Sequence, residues 1–231
     1  MSFLIFKGVS TVDLPNVYIS KMPSHKKAAM RYTEFYVNGR DGALHIDEGL
    51  TNYEIQATLV LVDGDASVRQ AVNAWASGSG KLITSDDLSK CYKAAVRKEV
   101  RWTRTLGNRG YFDTAQITWD CDPYMYESKE TPIVLTASGN IVNPGTAKAI
   151  PLLVLEGSGN CSVTMGGTTF SISNVSSGVP VTLDCENGYA FAASGAMMMT
   201  GNFPEIPVGT SAVTLGSGVT KLTVTPHWRW I

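Results

Sequence analysis

The chain has 231 residues, 44% of them hydrophobic, with 19 Lys and Arg against 20 Asp and Glu. That apolar content at near-zero net charge excludes a disordered chain, and a formal charge of −1 speaks against a domain whose main task is gripping nucleic acid. No apolar run reaches the ~18 residues that cross a bilayer, and Met1 to Lys7 turns polar too early for a secretory leader. The expectation is a soluble protein of one or two domains, made in a cytosol.

Four cysteines stand at positions 91, 121, 161 and 185 with no C-x-x-C spacing, and the three histidines at 25, 45 and 227 do not complete a zinc-ligand pattern. The cysteines read as buried free thiols, and neither a metal nor a cofactor is expected.

Charge density divides the chain. Residues 1 to 132 carry sixteen acidic and sixteen basic residues, whereas 133 to 231 carry seven charged residues in all, with 13 Gly, 10 Ser and 12 Thr. A domain boundary is placed there, giving domains 1–132 and 133–231, with the last strand expected to pack back on the first domain.

In chain order, Phe3 to Phe6 is β-prone. Arg31 to Val37 is a strand leading into Asn38-Gly39-Arg40-Asp41-Gly42, a hairpin turn. Tyr53, Ile55, Ala57, Leu59 and Leu61 fall on one face of a period-two strand. A helix follows, N-capped by Asp65, with Val68, Val72 and Trp75 as its apolar stripe and Gly78-Ser79-Gly80 as its end. Lys81 to Ile83 reads as a strand, Tyr92 to Arg104 as one long charged strand, and Tyr111 to Trp119 as its antiparallel return, stopping at Cys121-Asp122-Pro123. The second half has no helical period. Short runs at 150–155, 162–165, 169–172, 179–183, 189–192 and 219–225, separated by Gly, Asn, Pro and Ser turns, predict a β-sandwich or jelly roll.

Each candidate for chemistry fails a test. Gly78-Ser79-Gly80-Lys81 lacks the first glycine and the hydroxyl residue of a phosphate loop, and Asp63-Gly64-Asp65 lacks the rest of a calcium loop. No G-x-S-x-G elbow accompanies the histidines. The pairs Asp86-Asp87 and Asp120/Asp122 sit beside turns, where aspartate bonds locally, so they read as structural before they read as glycosidase carboxylates. Lys90, Lys93, Arg97, Lys98, Arg101 and Arg104 form the largest cluster of one sign, split between both faces of a strand. No catalytic residue is assigned.

The ordered series Asn38-Gly39-Arg40-Asp41-Gly42, the strand from Tyr53 to Val62, the helix closing on Trp75, Asp86-Asp87 through Tyr92-Lys93-Ala94, and Ile117-Thr118-Trp119-Asp120-Cys121-Asp122-Pro123-Tyr124 resembles the distal tail protein family of long-tailed bacteriophages. Asn140 to Pro151, Gly201 to Gly209 and Val224 to Trp230 look like that family's attached galectin-like sandwich. The resemblance implies a mainly β protein: an N-terminal β-sandwich or barrel-like domain with one α-helix, and a C-terminal galectin-like sandwich akin to a carbohydrate-binding module. It further implies a structural, non-enzymatic virion protein at the distal tail tip. In such a protein the first domain builds a hexameric ring between the tail tube protein and the tail-tip protein. The second supports the host-adsorption apparatus, with receptor-binding or side proteins as further partners. DNA passes through the lumen without specific binding, and no membrane is engaged. The subunit interface is expected at Gly39, Arg40, Asp41, Gly42, Tyr92, Arg97 and Arg101. The alternative class is a lectin-like host-recognition protein, with Tyr189, Trp228 and Trp230 as sugar-stacking rings.

Overall fold

The computed structural model describes residues 2–24, 26–62, 66–107 and 110–231; the Asp63-Gly64-Asp65 segment, the Asp65 cap and His25 lie outside these. The chain divides into two compact units, Met1–Ser128 with Ile231, and Lys129–Trp230.

The first unit contains β1 (Leu4–Phe6), β2 (Val9–Ser10), a 3₁₀ turn (Thr11–Asp13), β3 (Val17–Lys21), β4 (Met30–Tyr36), β5 (Ala43–Leu50), β6 (Tyr53–Val62), α1 (Ala66–Trp75), β7 (Gly78–Thr84), β8 (Asp87–Val96), β9 (Arg101–Gly107) and β10 (Gly110–Glu127). Its antiparallel sheet runs β2-β1-β7-β8-β10-β6-β3. The spine is β10. Along one edge it pairs with β6 from Phe112 to Cys121; along the other it pairs first with β9 and then with β8. The alternation read from the sequence holds on β6, where Ile55, Ala57, Leu59 and Leu61 are all buried. On β10 the partner positions Ala115, Ile117, Trp119 and Cys121 point to the same core. Helix α1 covers it with Val68, Val72 and Trp75, as its stripe predicts. Phe6, Trp75 and Trp119 meet edge to face at centroid distances of 6.0–6.1 Å, an arrangement that adds directional attraction to area burial.

Three local expectations are corrected. Gly78 to Gly80 does not end the helix; it opens β7, and Gly80 leaves room for the Lys7 side chain, whose Cγ would lie 2.6 Å from a Cβ there. The long strand from Tyr92 to Arg104 is two strands. Ala95 opposes Asp120 and Arg101 opposes Gln116, so six steps on one chain match four on β10, and residues 97–100 leave the ladder. Pro123 does not stop β10, because the register with β8 shifts between Cys121 and Met125 and this bulge accommodates a residue that has no N–H to give.

The second unit contains β11 (Ile133–Leu135), β12 (Gly139–Asn143), β13 (Leu152–Gly157), β14 (Gly159–Met165), β15 (Thr168–Val175), β16 (Val181–Asp184), β17 (Tyr189–Ala192), β18 (Gly195–Ala196), β19 (Met199–Gly201), β20 (Gly209–Leu215), β21 (Val219–Thr225) and β22 (Arg229–Trp230). A six-stranded sheet, β11-β21-β13-β16-β17-β18, faces a five-stranded one, β12-β20-β14-β15-β19, across a core of Leu153, Leu155, Val163, Phe170, Ile172, Leu183, Leu222 and Val224. The molecule is mainly β, as expected. All four cysteines are buried free thiols; burial raises the Cys121 and Cys185 thiols to about 12, so neither is an available nucleophile.

Candidate functional site

Strands β4 and β5 form a two-stranded ribbon of their own, joined across residues 37–42, and among the described residues no third strand pairs with it. Gly39 and Gly42 take positive φ at 81° and 78°, the left-handed conformation that closes this turn without a Cβ penalty. Arg40 and Asp41 are exposed at the tip. The register puts Tyr32, Glu34 and Tyr36 with His45 and Asp47 on one face, and Thr33 and Phe35 with Ile46 and Leu44 on the other. The first face is held by a Tyr36 hydroxyl donating to Glu34 at 2.9 Å and by Tyr32 edge-on to His45. The second leaves Phe35, Leu44 and Ile46 exposed. An isolated two-stranded ribbon is marginal in water, and this one presents apolar side chains on both faces.

The second surface lies along β8, residues 97–100 and β9. Arg97 pairs with Asp120 at 3.1 Å, Lys98 with Glu54 at 2.6 Å, and Arg104 with Asp113 at 2.8 Å. Two clefts open here. One, of about 340 Å³, is lined by Asn52, Lys81, Lys93, Arg97, Asp120 and Asp122 among others; the other is lined by Gln56, Lys98, Glu99, Arg101, Gln116 and Thr118. Lys81 sits directly opposite Lys93 across the β7–β8 pair, a like-charge juxtaposition that costs energy. Lys93 is offset by the Tyr126 ring, whose centroid lies 4.5 Å from its Nζ.

Of the sequence-predicted contact residues, Gly39, Arg40, Asp41 and Gly42 lie at the ribbon tip, and Arg97 and Arg101 flank the break between β8 and β9. Tyr92 does not join them. It is 5% exposed, turns into its own core against Tyr53, and burial pushes its phenol up to about 12. The residue the sequence reading missed is Asp113. It sits at a core-facing position of β10, 5% exposed, and accepts from Arg104 Nε and Nη2 and from Arg69 Nη1 on α1 at 2.8–3.0 Å. A carboxylate falling in phase with Ala115, Ile117 and Trp119 is the signal that was there to be read.

The other charged candidates resolve into local structure. Asp87 accepts from the Ser89 main-chain N–H at 2.9 Å and from its hydroxyl, a turn-closing role. His227 Nδ1 lies 3.0 Å from a Glu130 oxygen within the second unit. Among the described residues no three of His, Cys, Asp and Glu gather as a metal site.

The chain shares its fold, over nearly its whole length, with a solved phage hub protein. Comparison with solved structures finds the crystal structure of SPP1 Dit (gp 19.1), described as a paradigm of the hub adsorption apparatus in Gram-positive infecting phages, at a TM-score of 0.76 and 14% identity, covering 97% of this chain and 98% of that one. A component of the phage P2 baseplate in its activated conformation with Ca aligns over 96% of this chain and 97% of its own, with a TM-score of 0.49 and 11% identity. No family model and no curated protein sequence matches the chain.

Proposed function

We propose that this chain is a distal tail hub protein, a structural component of a bacteriophage tail tip. Its first unit closes into a hexameric ring between the tail tube protein and the tail-tip protein, and its second carries the adsorption apparatus. DNA passes through the lumen without specific contacts, and the chain catalyses nothing. The observation that carries this reading is the uncovered ribbon of β4 and β5, which needs a partner to bury Phe35, Leu44 and Ile46. The hub-protein fold over nearly the whole chain supports it.

Closure of a ring requires two different, mutually complementary patches on each subunit. The ribbon supplies one: across residues 30–50, Glu34, Asp41, Asp47 and Glu48 outnumber Arg31 and Arg40. The segment 87–107 supplies the other: Lys90, Lys93, Arg97, Lys98, Arg101 and Arg104 outnumber Asp87 and Glu99 within it, and Asp120, Glu54 and Asp113 offset three of these bases from neighbouring strands. Seated beside a neighbour's Arg97 and Arg101, the ribbon tip brings Asp41 to the basic segment while its apolar face is covered. A permanent contact of this kind buries about 2,000 Å² or more.

The test is a charge swap followed by light scattering on a sizing column. The wild-type chain should elute as a hexamer. Asp41→Lys should shift it to smaller species, Arg97→Glu with Arg101→Glu should do the same, and the three changes together should restore part of the ring. A wild-type chain that stays monomeric at high concentration overturns the proposal.

A further inference from the structure

The lectin-like alternative named three rings, and the structure separates them. Trp228 is 7% exposed in the core of the second unit, and Trp230 packs against that core. Tyr189 is 48% exposed, and Phe191, two residues further along β17 and therefore on the same side of the sheet, is 42% exposed. Their centroids are 5.6 Å apart and their planes differ by 36°, so together they make a shallow aromatic shelf on the solvent face of the six-stranded sheet.

The register gives the shelf its neighbours. Tyr189 opposes Asp184, which opposes Leu152; Phe191 opposes Thr182, which opposes Val154 and then Thr223. Beside the rings the Asp184 carboxylate is held in place. It accepts the Asn187 main-chain N–H at 2.9 Å and the Asn187 side-chain amide at 2.8 Å. The Asn187 side-chain bond foremost, with help from the Tyr189 phenol, keeps this carboxyl below the usual aspartate range. Along the six strands of this sheet the other charged residues are Glu156 and Lys221, which neutralise each other at 2.7 Å.

We propose that this shelf binds a neutral saccharide, one pyranose lying with its C–H face on Tyr189 and Phe191 and its hydroxyl rim on Asp184, Asn187 and Thr182. A pyranose has an apolar face and an edge of hydroxyls. The shelf offers a flat apolar surface bordered by a planar carboxylate and amide, which exchange hydrogen bonds with neighbouring hydroxyls in pairs. Its charge suits an uncharged ligand, since an anion would meet Asp184 without a free cation beside it on these strands. Its size also decides the occupant. Two half-exposed rings present on the order of 200 Å², whereas a stable protein contact takes roughly 800 Å² from each partner. This site is independent of the ring, because none of its residues belongs to the two surfaces assigned to subunit contact.

The test uses the full chain with glucose, galactose, N-acetylglucosamine and their methyl glycosides, read by saturation-transfer NMR. At least one sugar should receive magnetisation from the Tyr189 and Phe191 protons at millimolar concentration. Tyr189→Ala with Phe191→Ala should weaken that binding by roughly tenfold or more, with melting temperature and oligomeric state unchanged. Asp184→Asn should weaken it while the aromatic transfer pattern persists. Silence with every sugar overturns the site, and so does binding that survives the double ring substitution. Either result leaves the hexamer measurement standing.

Discussion

Asp113 shows how one side chain ties elements together. It faces the core of the first unit, where an uncompensated carboxylate would be costly, and it is tolerated because Arg104 on β9 and Arg69 on α1 both donate to it. The arginine heads remain partly in water, at 53% and 33% side-chain exposure, so the acid is where the energy is concentrated. Arg104 foremost, then Arg69, holds its carboxyl down to about 2. The unfolded chain would titrate near 3.9. A group depressed on folding contributes its full stability above the unfolded value and loses it as pH falls through the folded one, so this contribution fades between about pH 4 and pH 2. Asp113→Asn should cost on the order of 2 kcal/mol at neutral pH, measured by urea unfolding. It should also flatten the acid limb of the stability profile between those values. An acid limb identical to wild type would show that the clamp does not work this way.

At the scale of elements, what was legible in the sequence was whatever repeats locally. The period-two run from Tyr53 to Leu61 and the stripe of Val68, Val72 and Trp75 announce burial because each side chain reports its own environment. Breaks set by a partner strand were not legible. Nothing within residues 92–104 says that β10 is two residues shorter over that span, and nothing around Pro123 says that a bulge will absorb it. The ribbon of β4 and β5 was visible as a hairpin, while its isolation from the main sheet was not, because that depends on which strands fail to reach it. In the second unit β20 was overlooked, Thr, Ser and Gly diluting its alternation. Close approach between elements is likewise hidden from sequence. A Cβ on Gly145 would lie 2.3 Å from the Arg229 carbonyl oxygen, which accepts the Thr146 and Ala147 N–H groups at 3.0 and 3.2 Å. Gly145→Ala must push the β22 segment off these bonds. It should destabilise the chain by about 1–3 kcal/mol, the range of an overpacked site, and thermal unfolding followed by circular dichroism would detect it. An unchanged melting temperature would mean that β22 is not held by this contact.

For the whole molecule, the uneven distribution of charge assigns the two halves different kinds of contact. Sixteen acids and sixteen bases up to residue 132 suit the first to the electrostatic pairing proposed between copies, while the sparsely charged Ser- and Thr-rich remainder suits salt-insensitive contacts. The proposed subunit contact combines both kinds: acids against Arg97 and Arg101 to steer the approach, and Phe35, Leu44 and Ile46 to hold the product. These should separate kinetically. Charge acts mainly on encounter, and its range falls from about 10 Å at 0.1 M salt to about 3 Å at 1 M. Burial of the apolar ribbon acts on dissociation, which salt does not weaken. Ring assembly after a concentration jump, followed by stopped-flow light scattering, should therefore slow by roughly tenfold or more between those salt concentrations. Subunit exchange between labelled rings should change little. Removing the apolar face with Phe35→Ser and Ile46→Ser should invert the pattern, with fast exchange and a preserved salt dependence of assembly. If assembly is equally fast at both salt concentrations, charge does not select the partner, and the basic segment around Arg97 is only a solvated strand paired within its own chain.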